Sequence, residues 1–159
     1  MTITQTVANT TTQIGCDMKP VRIVDATPAQ LDWLVTLAEL NRAEAHGEHV
    51  KDWVKREILS GTRTNPYTRE EAWMWPVINR EGIALRRLQH RDKIWMSIRS
   101  DDLGDEACAS WKEFTFKDLP RNTATSRRQR FTGETAFEAA ARCHVAWLFG
   151  ETVVVPAHL

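Results

Sequence analysis

Charge of one sign is the first thing this sequence lacks: 21 lysines and arginines balance 21 aspartates and glutamates over 159 residues, leaving zero formal charge. No global field draws such a chain to nucleic acid or to a membrane surface, so any anion site must be local. Cysteine is scarce. Cys16, Cys108 and Cys143 are odd in number, widely spaced and without a Cys-x-x-Cys, which excludes a disulfide framework and reads as reduced thiols. No apolar run approaches the length that spans a bilayer, and the opening Met1-Thr-Ile-Thr-Gln-Thr-Val-Ala has neither a basic nor an apolar signal region. The expectation is a cytoplasmic chain with no membrane partner. Internal repeats are missing too, as are Gly-x-Ser-x-Gly, a P-loop, a dinucleotide fingerprint and the zinc-deaminase signature. No enzyme class and no cofactor is indicated.

What is present suits one α+β domain over residues 19–159, preceded by a Thr-rich stretch at 1–18 that is poor in apolar side chains and reads as a flexible tail or a lone edge strand. Val21 to Val24 reads as a short strand. Thr27-Pro28-Ala29-Gln30 combines an N-cap, proline at the first helical position and a capping-box glutamine, so a helix starts at Pro28 and runs to about Ala43. Leu31, Leu34, Val35 and Ala38 form its stripe, widened by Trp33, Leu37 and Leu40. Residues 44–69 read as a variable insertion, with a second helix over Val50 to Ile58 and a loop from Thr62 to Arg69.

Trp73 to Ile78 is aromatic and apolar but contains Pro76, which cannot donate to a central ladder, so an edge strand or extended loop is expected. Ile83 to Leu88 and Lys93 to Arg99 read as two strands of a hairpin, Trp111 to Phe116 as another strand, and Leu119 to Phe131 as a basic connection. The ending is the clearest: Thr135 and Glu138 form a capping box, with the hydroxyl taking the Glu138 amide and the carboxylate returning to the Thr135 amide. Ala136, Ala140, Cys143, Trp147 and Leu148 then recur at helical spacing, Gly150 closes the helix through a left-handed conformation, and Thr152 to Val155 is a strand. The resulting fold is a small, mainly antiparallel sheet of three to five strands packed by two main helices and closed by a helix–strand unit.

Four segments in this order resemble the NinX-like phage proteins: Leu31-Asp-Trp-Leu-Val35, Trp75-Pro-Val-Ile-Asn-Arg-Glu-Gly-Ile83, the Trp95 strand, and the ending. That ending, Ala140-Ala-Arg-Cys-His-Val-Ala146 followed by Gly150-Glu-Thr-Val-Val-Val-Pro156, is the closest match. The chain departs from the pattern in its longer 44–69 region, in Trp75 where glycine is usual and in His144 where an aromatic is usual. The resemblance implies a phage accessory protein working in the host cytoplasm, and little about its chemistry.

Two constellations look like chemistry and read better as structure. Glu44-Ala-His-Gly-Glu-His49 offers two imidazoles three residues apart, but further ligands are missing and Gly47 weakens the helix, so a solvated turn is the expectation and no metal site is assigned. Cys143 and His144 are neighbours on a helix and point about 100° apart, which places Cys143 in the core. Basic residues interleaved with tryptophan are the more suggestive pattern. Arg80, Arg86 and Arg87 lie near Trp73, Trp75 and Trp95 in sequence, and Arg127, Arg128 and Arg130 precede the capping Thr135, around which helix amides attract anions. Guanidinium forks hold phosphate and indole faces stack on bases. Arg142 is expected to brace the sheet through a buried ion pair.

These ten residues, Arg142 aside, make up the expected ligand site of a non-enzymatic host-defence antagonist that sequesters a nucleotide or cyclic nucleotide. Two alternatives stay open: an interaction or assembly module that binds a host protein, or a second copy of itself, through exposed Trp53, Trp73 and Trp75, and a binder of single-stranded nucleic acid.

Overall fold

The cap at Thr27 starts the helix around which the other elements gather. The computed structural model describes residues 17–87, 95–99 and 131–159. In it the Thr27 hydroxyl accepts the Gln30 amide at 3.3 Å and the Gln30 side chain accepts the Thr27 amide at 3.0 Å, opening helix α1 at Pro28–Ala45. Every residue of α1 from Gln30 to Ala38 is buried, so the helix is covered on all sides rather than along one stripe. Helix α2, Asp52–Leu59, is tied to it by the buried Trp33, whose indole N–H donates to the Ile58 carbonyl at 2.6 Å.

The closing helix, Ala136–Phe149, packs against α1 and lies across a three-stranded antiparallel sheet of β2 (Ile83–Arg87), β3 (Trp95–Arg99) and β4 (Phe131–Gly133). The hairpin expected from Ile83 to Arg99 is present, with Ile83 opposite Arg99 and Arg87 opposite Trp95, and Trp95 in turn stands opposite Gly133. Strand β4 starts at Phe131, the last residue of the expected connection, and ends at Gly133, where the closing stretch begins. A strand of 3 residues is too short to show alternation, and it is its pairing to β3 that defines it. A separate two-stranded sheet joins β1, Met18–Arg22, to β5, Thr152–Pro156. The strand expected at Val21 to Val24 thus begins earlier and gives way at Ile23–Asp25 to a short 3-10 helix, whose Ile23 amide still bonds the Glu151 carbonyl at 2.9 Å.

The largest departure from the sequence reading is at Trp73 to Ile78. This segment is helical, within α3 at Glu71–Arg80, with the closing helix therefore α4. Met74, Val77 and Ile78 are buried at the i, i+3, i+4 spacing of one helix face. Pro76 removes one amide and leaves the Ala72 carbonyl without its helical donor, but both residues are exposed, so water can serve that carbonyl. Gly82, at φ +60°, follows the helix end.

Among the described residues the fold is thus α+β with four α-helices, and none of them is long and apolar enough to cross a membrane. The tail at 1–16, the Trp111 to Phe116 segment and the basic run Arg121 to Arg130 lie outside the described residues.

Candidate functional site

Helix α3 carries two exposed tryptophans of the sequence-predicted site. Its inner residues are anchored in the core, which turns Ala72, Trp73, Trp75 and Pro76 outward. Trp73 is 43% exposed and Trp75 46% exposed, and among the described residues only Trp73 of the two has an aromatic neighbour, Tyr67, edge-on at 5.9 Å. Burial pushes the Tyr67 phenol upward from its ordinary value. Trp53 on α2 is also exposed, with the Arg63 guanidinium over its ring at 5.6 Å. Trp147 and Leu148, which share the spacing of the closing helix, face solvent near its end, while Cys143, His144, Val145, Ala146 and Phe149 are the buried residues there.

Arg80 is occupied by protein carboxylates. Its guanidinium donates to Glu39 at 2.5 and 3.2 Å and to Glu81 at 2.9 Å, and Glu39 also accepts from Arg42. Burial works against the charge of Arg80, but these bonds outweigh it and hold the side chain above the ordinary arginine value. The cluster fastens α3 to α1, and an incoming phosphate would have to displace two carboxylates.

The start of α4 is likewise filled from within the chain. Thr135 caps it as expected, accepting the Glu138 amide at 3.1 Å, but the Glu138 carboxylate returns to the Glu134 amide at 3.0 Å, one residue earlier than expected. Gly133 allows this close turn, since a Cβ there would stand 2.6 Å from the Ala139 amide nitrogen. Gly150 at the other end does have positive φ, yet its ψ of −176° is the extended glycine conformation and not the left-handed helical one. Arg142 braces the sheet as expected, though mainly through carbonyls: it donates to Thr132 of β4 and to Ala26, with the Glu138 carboxylate at 3.8 Å.

Sequence reasoning missed the polar junction beneath this face. Asp32, 1% exposed on α1, accepts the Thr68 amide at 2.7 Å, and Arg69 stands 3.6 Å from its other oxygen. One turn on, the Thr36 hydroxyl donates to the Asp32 carbonyl and accepts the Asn65 amide at 3.0 Å. Thr135 reaches the Thr68 carbonyl at 3.4 Å. These bonds pin the loop before α3 to α1 and to the cap of α4. Burial raises the Asp32 pKa from its ordinary value, against the lowering by the Thr68 bond and by Arg69. A lone aspartate inside an unbroken apolar stretch, Leu31 to Val35, was the signal that could have marked it.

Of the sequence-predicted set, Trp73, Trp75 and Arg80 therefore share α3, while Arg87 and Trp95 are cross-strand partners at the sheet end that leads through Gly133 to Thr135. Arg86 pairs with Met96 beside them. Arg127, Arg128 and Arg130 lie outside the described residues. The Glu44 to His49 turn is exposed, Glu44 pairs with Lys55, and among the described residues no three His, Cys, Asp or Glu side chains gather as a metal site. Comparison with protein-family models, with curated proteins and with solved structures finds no match to this chain.

Proposed function

We propose that the protein is a non-enzymatic accessory protein that works by docking onto a partner protein through the outer face of α3. The observation that carries this reading is the pair Trp73 and Trp75, both nearly half exposed on a helix whose inner face is fully anchored. Indoles held on a rigid helix bury large area at little entropic cost and are the commonest interface anchors. The likeness of the closing segment to NinX-like phage proteins supports an infected cell as the setting and a host protein as the partner.

The nucleotide-sequestering reading is kept second, on the register that sets Arg87 opposite Trp95 and Trp95 opposite Gly133, two residues from the helix cap. Against it stand Arg80, committed to Glu39 and Glu81, and the amide at the start of α4 already bonded to Glu138. Purification from an infected host separates the two. Docking predicts a host protein that co-purifies through a wash at about 1 M salt, where surface charge pairs are screened, and that is lost with Trp75→Ala. A bound nucleotide in the mass spectrum, with no protein partner, would replace docking by sequestration. Affinity for unrelated single strands that falls steeply with salt would replace both by nucleic-acid binding.

A further inference from the structure

We propose that the occupant of the α3 face is a partner protein presenting an apolar groove with a lysine- or arginine-lined rim, which α3 enters as the ligand helix. This rests on the docking reading and adds the shape and charge of the partner. The shape follows from the helix. At about 100° per residue, Trp73 and Trp75 lie about 200° apart around the axis. They therefore flank the outward surface on opposite sides, with exposed Ala72 and Pro76 between them. A flat partner covers one flank, whereas a concave one covers both.

Area argues against a second copy of the chain. Two half-exposed indoles offer roughly 100 Å² each, so α3 set against its twin falls well short of the ~1,200 Å² of a stable interface. A groove gains the missing area by wrapping the helix. Charge gives the rim. Glu70 and Glu71 are exposed at the N-terminal end of the face, beside Arg69, whose guanidinium is directed to the buried Asp32. At the other end the Arg80 charge is absorbed by Glu39 and Glu81, with Arg42 on Glu39. With Asp32 counted as ionised, these side chains sum to five acidic and three basic, a local excess of two negative charges. Such a face favours a basic partner.

The test places photoreactive benzoylphenylalanine at position 72, between the tryptophans, in the full chain made during infection, with position 51 on the exposed cap of α2 as control. The expected result is a discrete protein adduct at 72 and none at 51, with the cross-linked peptide mapping to a groove bordered by Lys or Arg. Glu70→Lys combined with Glu71→Lys should lower its yield by about tenfold or more, equivalent to about 1.4 kcal/mol, with circular dichroism unchanged. An adduct that survives the charge reversal overturns the basic rim while leaving docking in place. An adduct with a second copy, an adduct with nucleic acid, or no adduct at 72 overturns groove and docking together.

Discussion

A carboxylate buried on α1 needs a donor, and Asp32 has one in the Thr68 amide at 2.7 Å. Removing the acceptor leaves that amide unpaired in the interior, so Asp32→Ala should cost about 1–3 kcal/mol in urea unfolding. Asp32→Asn keeps an oxygen in place and should cost less. The pH dependence fixes the sign. Because the folded-state pKa is raised above its ordinary 3.8, the folded protein holds this proton more tightly. The resulting stability is fully present below 3.8 and is lost as pH rises through the folded value. Asparagine does not titrate, so wild type should lose stability relative to Asp32→Asn across that interval, and a parallel pair of pH profiles would count against the assignment. Gly133 is constrained differently. A methyl group there meets the Ala139 nitrogen at 2.6 Å and the Glu138 Cβ at 2.7 Å, so Gly133→Ala must part β4 from the start of α4. Overpacking of this kind costs about 1–3 kcal/mol and should appear as a lower Tm.

Among the elements, those with local punctuation were legible and those defined by distant partners were not. Thr27 with Gln30 announced α1, and alternation announced the β2–β3 hairpin, because in each case the stabilising contact lies within a few residues or directly across a hairpin. Helix α3 is hidden in the sequence because Pro76 argues only against a sheet ladder, while the Met74, Val77, Ile78 spacing of a helix face covers only about a turn and a half. The exposed position of Pro76 makes the correction testable. Alanine restores the amide that the Ala72 carbonyl lacks and relieves the ring clash, and interior proline costs a helix about 3 kcal/mol relative to alanine. Proline also restrains the unfolded chain, which offsets part of the gain. Pro76→Ala should therefore stabilise the protein by about 1–2 kcal/mol in urea unfolding, whereas in a strand or extended loop it would do nothing or destabilise.

At the scale of the molecule, the candidate site was legible as residue types and not as an arrangement. Nothing near Arg80 in sequence foretells Glu39, which reaches it from another helix, and the carboxylate that fills the start of α4 comes from the same capping pair that suggested an anion site. The exposed tryptophans were expected as a patch, but their helix was not, and the helix is what separates an inner from an outer face. That separation decides between structural and functional roles at adjacent positions. Met74 is fully buried, so Met74→Ala should cost about 2–5 kcal/mol. Trp73→Ala gives up the edge contact with Tyr67, about 0.5–1.5 kcal/mol, in addition to the area that the inner half of its side chain buries. Trp75, 46% exposed and without an aromatic contact among the described residues, keeps about half of its side chain against the protein and should cost about 1–2 kcal/mol when replaced by alanine. If α3 is a docking surface, phage fitness in the host should follow exposure and not stability: Trp75→Ala, assayed at a temperature where it remains folded, loses the phenotype, while the more destabilised Met74→Ala, assayed in the same way, retains it. Fitness that instead tracks the measured Tm across the three variants would make α3 a structural element and remove the partner from the account.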